Sequence, residues 1–203
     1  MSRGATARLF VAVDPPAPVR EQLAAWARSA AATLQAAGMG RPLRLLDPEA
    51  LHLTLCFLGS RPVEEIAAIG SALGTFTADA GEASVGAPLW LPAARPRALA
   101  VAIHDGGEKL VSLQAGVSEV IRDRTTWEPE RRRFRAHITV ARRSGRAGGR
   151  LGTRRPAGEG RQLPATPDLH FTVESVTLYR SWLSSQGATY EAVAVRELSA
   201  SEP

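Results

Sequence analysis

A chain of 203 residues, 44% of them hydrophobic, is long enough for one domain with a sizeable core, or for two small lobes that share one. No apolar run approaches the ~20 residues needed to cross a bilayer, and a single cysteine excludes an internal disulfide and fits a reducing cytoplasm. The net charge of +5 is carried almost wholly by arginine, Lys109 being the only lysine; such a balance suits a polyanionic partner without establishing one.

The opening MSRGATARLFVAVDPP has too short an apolar run for a secretory signal and no small-residue cleavage site. Within it, residues 8–13 read as a short strand stopped by Asp14-Pro15-Pro16, where Asp14 is placed to cap the next helix and the prolines fit its first turn. Residues 18–37 are rich in helix formers, with Val19, Leu23, Trp26 and Leu34 at helical spacing and Gly38 as the stop. A short strand at 43–46 and the turn Asp47-Pro48-Glu49 lead into residues 51–60, LHLTLCFLGS. Alternation on a strand puts His52 and Thr54 on one face, and Leu51, Leu53, Leu55 and Phe57 on the other. The apolar row is core. An imidazole beside a hydroxyl on the open row suits the handling of an anion. Phe57 could stack on a base, but alternation turns it inward and assigns it to the core. Cys56 falls on the His52 face with nothing to mark it as a nucleophile.

A second helix is expected over 63–76, then strands over 83–91 and 98–104 around the turn PAARPR. His104 reads as a surface turn residue ahead of Asp105-Gly106-Gly107. A third helix follows over 108–122, and residues 131–143, RRRFRAHITVARR, form a basic strand-like segment. Residues 144–168 are rich in Gly, Arg and Pro and read as a long mobile loop. Strands over 169–179 and 188–195 make a closing hairpin. Both ends are expected to fray, and residues 1–203 to form a single two-lobed domain. Trp26, Trp90, Trp127 and Trp182 are assigned to the core.

The segment AHITV repeats the opening pattern. His137 and Thr139 alternate with Ala136, Ile138 and Val140, 85 residues after the first motif. Each motif follows a strand, a helix and a turn, and each closes in a Gly-containing turn, FLGS or RRSG. A duplicated half-domain would bring the two histidines face to face across a groove. The segment HFTV, with His170 and Thr172, matches the same four letters. It emerges from the long loop with no preceding helix to complete a repeat, so His170 is assigned a structural or surface role.

Paired His-x-Thr motifs resemble those of the two-histidine phosphoesterases, and more closely the RNA 2′,3′-cyclic phosphodiesterases, also called the 2′-5′ RNA ligase family. RLFVAVDPP resembles that family's opening strand, LDPEALHLTLCFLG its first motif block and RAHITVAR its second. LYRSWLSSQGATYEAV resembles its closing hairpin, where Ser181, Gly187 and Tyr190 match. Ala136 stands where the family commonly has proline, Ala188 departs similarly, and 144–168 has no clear counterpart. The resemblance implies an α+β, bilobal, pseudo-symmetric fold, with antiparallel sheets lining a central groove and helices outside.

Opening a 2′,3′-cyclic phosphate needs a base for the attacking water and an acid for the departing ribose oxygen. Two imidazoles on opposite sides of the phosphate can fill both roles near neutral pH. The residues alone do not say which is which; the resemblance makes His52 the proton donor and His137 the acceptor. Thr54 and Thr139 can donate to the non-bridging oxygens. Arg142 matches a family arginine that would contact the phosphate, although strict alternation puts it on the core face, so the strand must end or twist there. Arg131, Arg132, Arg133 and Arg135 form a solvated or RNA-facing patch. The chemistry asks for no metal and no cofactor, since carboxylates do not cluster at either motif. The expectation is a cytoplasmic monomer acting on RNA ends that carry a 2′,3′-cyclic phosphate, away from membranes, with 2′-5′ ligation as the reverse reaction. The alternatives are a two-histidine esterase for a small cyclic phosphate, such as an ADP-ribose or nucleotide derivative, and a non-catalytic RNA-binding module.

Overall fold

The structure is a computed structural model that describes residues 5–38, 42–143, 163–184 and 187–199. Strand β1 (Thr6–Val13) is apolar on both faces because it runs through the middle of the molecule. Helix α1 (Ala17–Ala36) buries one stripe, Val19, Leu23, Trp26, Ala27, Ala30 and Leu34. Pro16 stands at its N-cap with no side-chain cap, so Asp14 does not cap this helix as its position suggests. Gly38, at φ +63°, closes the C-terminal end by donating its N–H to the Gln35 carbonyl. Strand β2 (Leu43–Leu45) and a 3₁₀ turn (Pro48–Ala50) lead to β3 (Leu53–Pro62). Helix α2 (Glu65–Thr75), strands β4 (Gly81–Leu91) and β5 (Ala98–His104), and helix α3 (Lys109–Arg122) follow. Strands β6 (His137–Arg143), β7 (His170–Val173), β8 (Ser175–Leu183) and β9 (Ala188–Glu197) complete the fold. No helix among the described residues is long and apolar enough to cross a membrane.

The strands form one sheet in the order β7-β4-β5-β6-β3-β1-β8-β9, with β2 beside β6. All the ladders between these strands are antiparallel. The two expected halves are therefore continuous, four strands of that order each with β2 added beside β6, and joined where β3 meets β6 through the single registered pair Leu53↔Ile138. The unit β1-α1-β3 in one half corresponds to β5-α3-β6 in the other, which is the strand–helix–motif repeat expected from the sequence. The overall α+β architecture is the expected one.

The expected strand 169–179 breaks at Glu174. Its first part, β7, pairs with β4 at one edge of the sheet, and its second part, β8, pairs with β1 and β9 near the other. In a flat sheet those positions, six strands apart, would be separated by roughly 29 Å. A one-residue link spans at most ~7 Å. The sheet is therefore strongly curled, and the backbone bonds at this end show it: Leu198 N–H donates to the Glu174 carbonyl at 2.7 Å, and Ala80 N–H to that of Ser199 at 2.7 Å.

The basic segment becomes strand only at His137; residues 131–136 are irregular. Of the expected mobile loop, residues 144–162 lie outside the described residues, as do the two ends, 1–4 and 200–203. Residues 163–168 pack instead: Leu163 lies against the core, and Trp26 Nε1–H donates to the Pro164 carbonyl at 3.2 Å. Three of the four tryptophans are buried as expected, but Trp182 is 42% exposed beneath the Arg180 guanidinium.

Candidate active site

Leu53 and Ile138 are completely buried where the halves meet. Antiparallel register about that pair sets Thr54 opposite His137 and His52 opposite Thr139, all on the opposite face from the core. The two histidines then lie on a cross-strand diagonal, with backbones roughly 7–8 Å apart. Their rings are held in the same way. His52 Nδ1 lies 2.9 Å from the Ala50 carbonyl and His137 Nδ1 lies 2.7 Å from the Arg135 carbonyl, each two residues back. A carbonyl can only accept, so each Nδ1 carries a hydrogen and each Nε2 is left to exchange a proton.

The surroundings of the two rings differ. His52 stacks on Phe10 (centroids 4.8 Å apart) and meets the edge of Tyr190 at 5.2 Å, with Tyr179 at 6.4 Å. Burial holds the His52 pKa below the usual 6.5; the charge of Asp14 and the Ala50 carbonyl oppose that shift, while Arg142 and His137 add to it. Asp14, expected to cap α1, instead accepts hydrogen bonds at Oδ2 from Tyr179 OH (2.9 Å) and Thr177 Oγ1 (3.1 Å). A single carboxylate thus stands at the first motif.

His137, by contrast, opens onto a cavity of about 620 Å³, within the size range of small-ligand pockets. Thr54, Thr139 and Arg142 also line it, together with Arg97, Arg132, Arg133 and Arg135, the aromatic residues Phe57, Trp127 and Phe134, and Glu130 as the one acidic lining residue. The structure thus gathers Thr54, His137, Thr139 and Arg142 on one cavity. His52 stands beside Thr54 in the aromatic cluster.

Two irregularities in the ladders decide which side chains reach this face. Along β5 and β6, Leu99 pairs with Ala141 but Ala100 with Thr139, so Val140 is an extra residue. This bulge reverses the alternation after Val140, buries both Val140 and Ala141, and returns Arg142 to the face of His137. On β3, Val11 pairs with Cys56 but Ala12 with Thr54, which makes Leu55 extra. The reversal buries Cys56 and turns Phe57 outward, 39% exposed with the Arg8 guanidinium 4.6 Å from its ring centre. Phe57 is therefore not core. Trp127 Nε1–H holds its backbone by donating to the Phe57 carbonyl at 3.2 Å. Gly59, at φ +74°, lies within the strand next to a further register shift and does not end it in a turn.

Cys56 Sγ lies 3.2 Å from Ser118 Oγ, and burial pushes its thiol up to about 11, so it is inert at neutral pH. The third motif is remote. His170 lies on edge strand β7, exposed, with Nε2 3.3 Å from Asp168, and Thr172 Oγ1 donates to Glu82. His104 is exposed at the end of β5. A second cavity, of about 410 Å³, lies between α3 and the start of β4; three carboxylates and one lysine are the charged residues lining it, and no histidine lines it. Sequence reasoning missed Phe10, Asp14 and Tyr179 at the site; the Asp-Pro-Pro and LYRS segments gave no sign that they meet.

His137, two threonine hydroxyls and five arginines line one cavity, and the second oriented imidazole, His52, lies beside it next to Thr54, an arrangement suited to a phosphate ester. Residues 13–87 match the LigT-like phosphoesterase family model. The chain is 33% identical over 195 residues to the RNA 2′,3′-cyclic phosphodiesterase of Thermus thermophilus, covering 90% of this chain and 86% of that one. A crystal structure of a Thermus thermophilus protein superposes with a TM-score of 0.69 at 26% identity, covering 96% of this chain and 100% of that one. The Escherichia coli LigT structure with 3′-AMP superposes with a TM-score of 0.69 at 22% identity, covering 96% and 99%. This chain belongs to the LigT-like phosphoesterase family.

Proposed function

We propose that this phosphoesterase opens 2′,3′-cyclic phosphates at RNA ends to 2′-phosphomonoesters, with His52 as proton donor and His137 as proton acceptor. The observation that supports the proposal is the matched pair of Nδ1 contacts, which makes Nε2 the proton-exchanging nitrogen of each ring where β3 and β6 meet. Water attacks phosphorus and gives its proton to His137 Nε2. The bond from phosphorus to the 3′-oxygen breaks on the opposite side, and His52 Nε2–H protonates that oxygen. Thr54, Thr139 and Arg142 hold the non-bridging oxygens, where negative charge builds. A 5′-hydroxyl in place of water would run the same geometry toward a 2′-5′ linkage.

RNA is favoured over a small cyclic phosphate by the arginines that extend the cavity beyond the reach of one phosphate, Arg97, Arg132, Arg133 and Arg135. The name of the Thermus thermophilus relative points the same way. The test is turnover of an oligonucleotide ending in a 2′,3′-cyclic phosphate beside a mononucleotide and an ADP-ribose cyclic phosphate. Higher kcat/KM on the oligonucleotide is expected, and preference for either small molecule would overturn the RNA reading. His52→Ala and His137→Ala should each lose about 10²–10⁴-fold in kcat while keeping RNA affinity. A protein with no turnover to lose is a binding module. Turnover is expected to survive EDTA.

A further inference from the structure

We propose that Asp14 is a positioning residue that sustains the proton on His52, its carboxylate fixed across the strand pair from that ring by Tyr179 and Thr177. The proposal rests on the reading of His52 as proton donor. The β1–β3 ladder ends at Val13↔Leu53, so Asp14 and His52 are the residues that follow it directly on the two chains, where one more antiparallel step would set them opposite each other. On the other side of β1, Ala12 pairs with Thr177 and Phe10 with Tyr179, which brings both hydroxyls to the site face. Both donate to one oxygen, Asp14 Oδ2, from partners 163 and 165 residues away in sequence. The helix that Asp14 precedes makes no use of its side chain.

The ring needs such a partner. Phe10 stacks on it at 28° and Tyr190 meets it edge-on at 88°, an apolar enclosure that disfavours the imidazolium. From β6, Arg142 and His137 also push the proton off, and the rings of Tyr179 on β8 and Tyr190 on β9 lie against the imidazole. On α1, Arg20 acts on Tyr179 and pairs with Glu49 at 2.8 Å. Among the described residues, the one anion that acts on His52 is Asp14. Burial still wins, so His52 titrates below the usual 6.5, but a fixed negative charge beside the ring lets the donor form persist to a higher pH than burial alone would allow.

Asp14→Asn tests this while keeping an oxygen for both hydroxyls to bond. Ring resonances of labelled His52 should titrate about one pH unit lower than in the unsubstituted protein. The basic limb of kcat/KM should move down with them, a roughly tenfold loss of kcat/KM at pH values above the limb, with the acid limb in place. Asp14→Glu should restore part of the shift, which a merely structural tie between β1 and β8 does not require. If Asp14→Asn does not fold, Tyr179→Phe keeps the stacked ring and frees the carboxylate on one side; the His52 midpoint should fall there too, by less. An unchanged midpoint in a folded variant overturns the proposal. A shifted midpoint in a protein that opens no cyclic phosphate supports the pairing and overturns the hydrolase reading. Movement of the acid limb instead overturns the donor role of His52.

Discussion

His52 and His137 occupy the same place in the same four-letter pattern, and both rings are pinned by a carbonyl two residues back. Their chemistry is separated by neighbours. Burial in an aromatic cluster lowers the pKa of His52, so its protonated fraction falls as pH rises through a midpoint below the usual 6.5. If His52 is the acid, kcat/KM should decline along a basic limb centred below 6.5, measured as a pH–rate profile of the free enzyme. The same shift has a stability consequence. The unfolded chain binds the His52 proton more readily than the folded one, so stability should fall as pH drops below about 6.5. Urea unfolding of the wild type and of His52→Asn at several pH values would isolate that slope. Arg142→Ala should raise KM by roughly tenfold or more, since a charge-assisted contact contributes about 1.5–3 kcal/mol. The histidines and threonines were legible in the sequence because strand alternation alone puts each pair on one face. Asp14 was not: its partners lie more than 160 residues away, and Asp-Pro-Pro before an alanine-rich run reads first as a helix cap.

At the scale of elements, two of the breaks in alternation matter to the site. The extra residues Leu55 and Val140 each shift the pattern by one, exposing Phe57 and returning Arg142 to the groove. The need for a break before Arg142 could be argued from its charge. Nothing comparable marks Leu55, because leucine suits either face of a strand buried on both sides. Most element positions were legible from helical spacing and turn residues. The division of 169–179 was not, since β7 and β8 differ only in which distant strand each pairs with. Where the halves join, Ile138 is fully buried opposite Leu53. Ile138→Ala should cost about 2–5 kcal/mol, read by urea denaturation, and a double-mutant cycle with Leu53→Ala should show coupling between them. In α3, a Cβ at Gly116 would come within 2.7 Å of the buried Phe76 ring. Gly116→Ala should therefore destabilise by about 1–3 kcal/mol, despite alanine's better helix propensity, a difference visible in Tm.

For the whole molecule, the arginines concentrated at one cavity make ionic strength a direct probe of substrate length. Each backbone phosphate engaged on single-stranded RNA should add about 0.7 to the slope of log KM against log salt. An oligonucleotide should thus show a steeper slope than a mononucleotide cyclic phosphate, and equal slopes would mean that Arg132, Arg133 and Arg135 do not meet the RNA backbone. The sheet also has two fastenings. One is the join at Leu53 and Ile138, directly beneath the histidines; the other is far along the curl, where Glu174 passes between the two edges and takes the Leu198 amide. The two halves are thus arranged like a pair of tongs, joined at Leu53 and Ile138 and clasped at their far ends, with Cys56–Ser118 and Trp127–Phe57 contacts between. Lengthening the chain by two glycines after Glu174 should let the tongs open, weakening turnover from a position that touches no substrate while leaving the two rings and their carbonyl anchors unaltered.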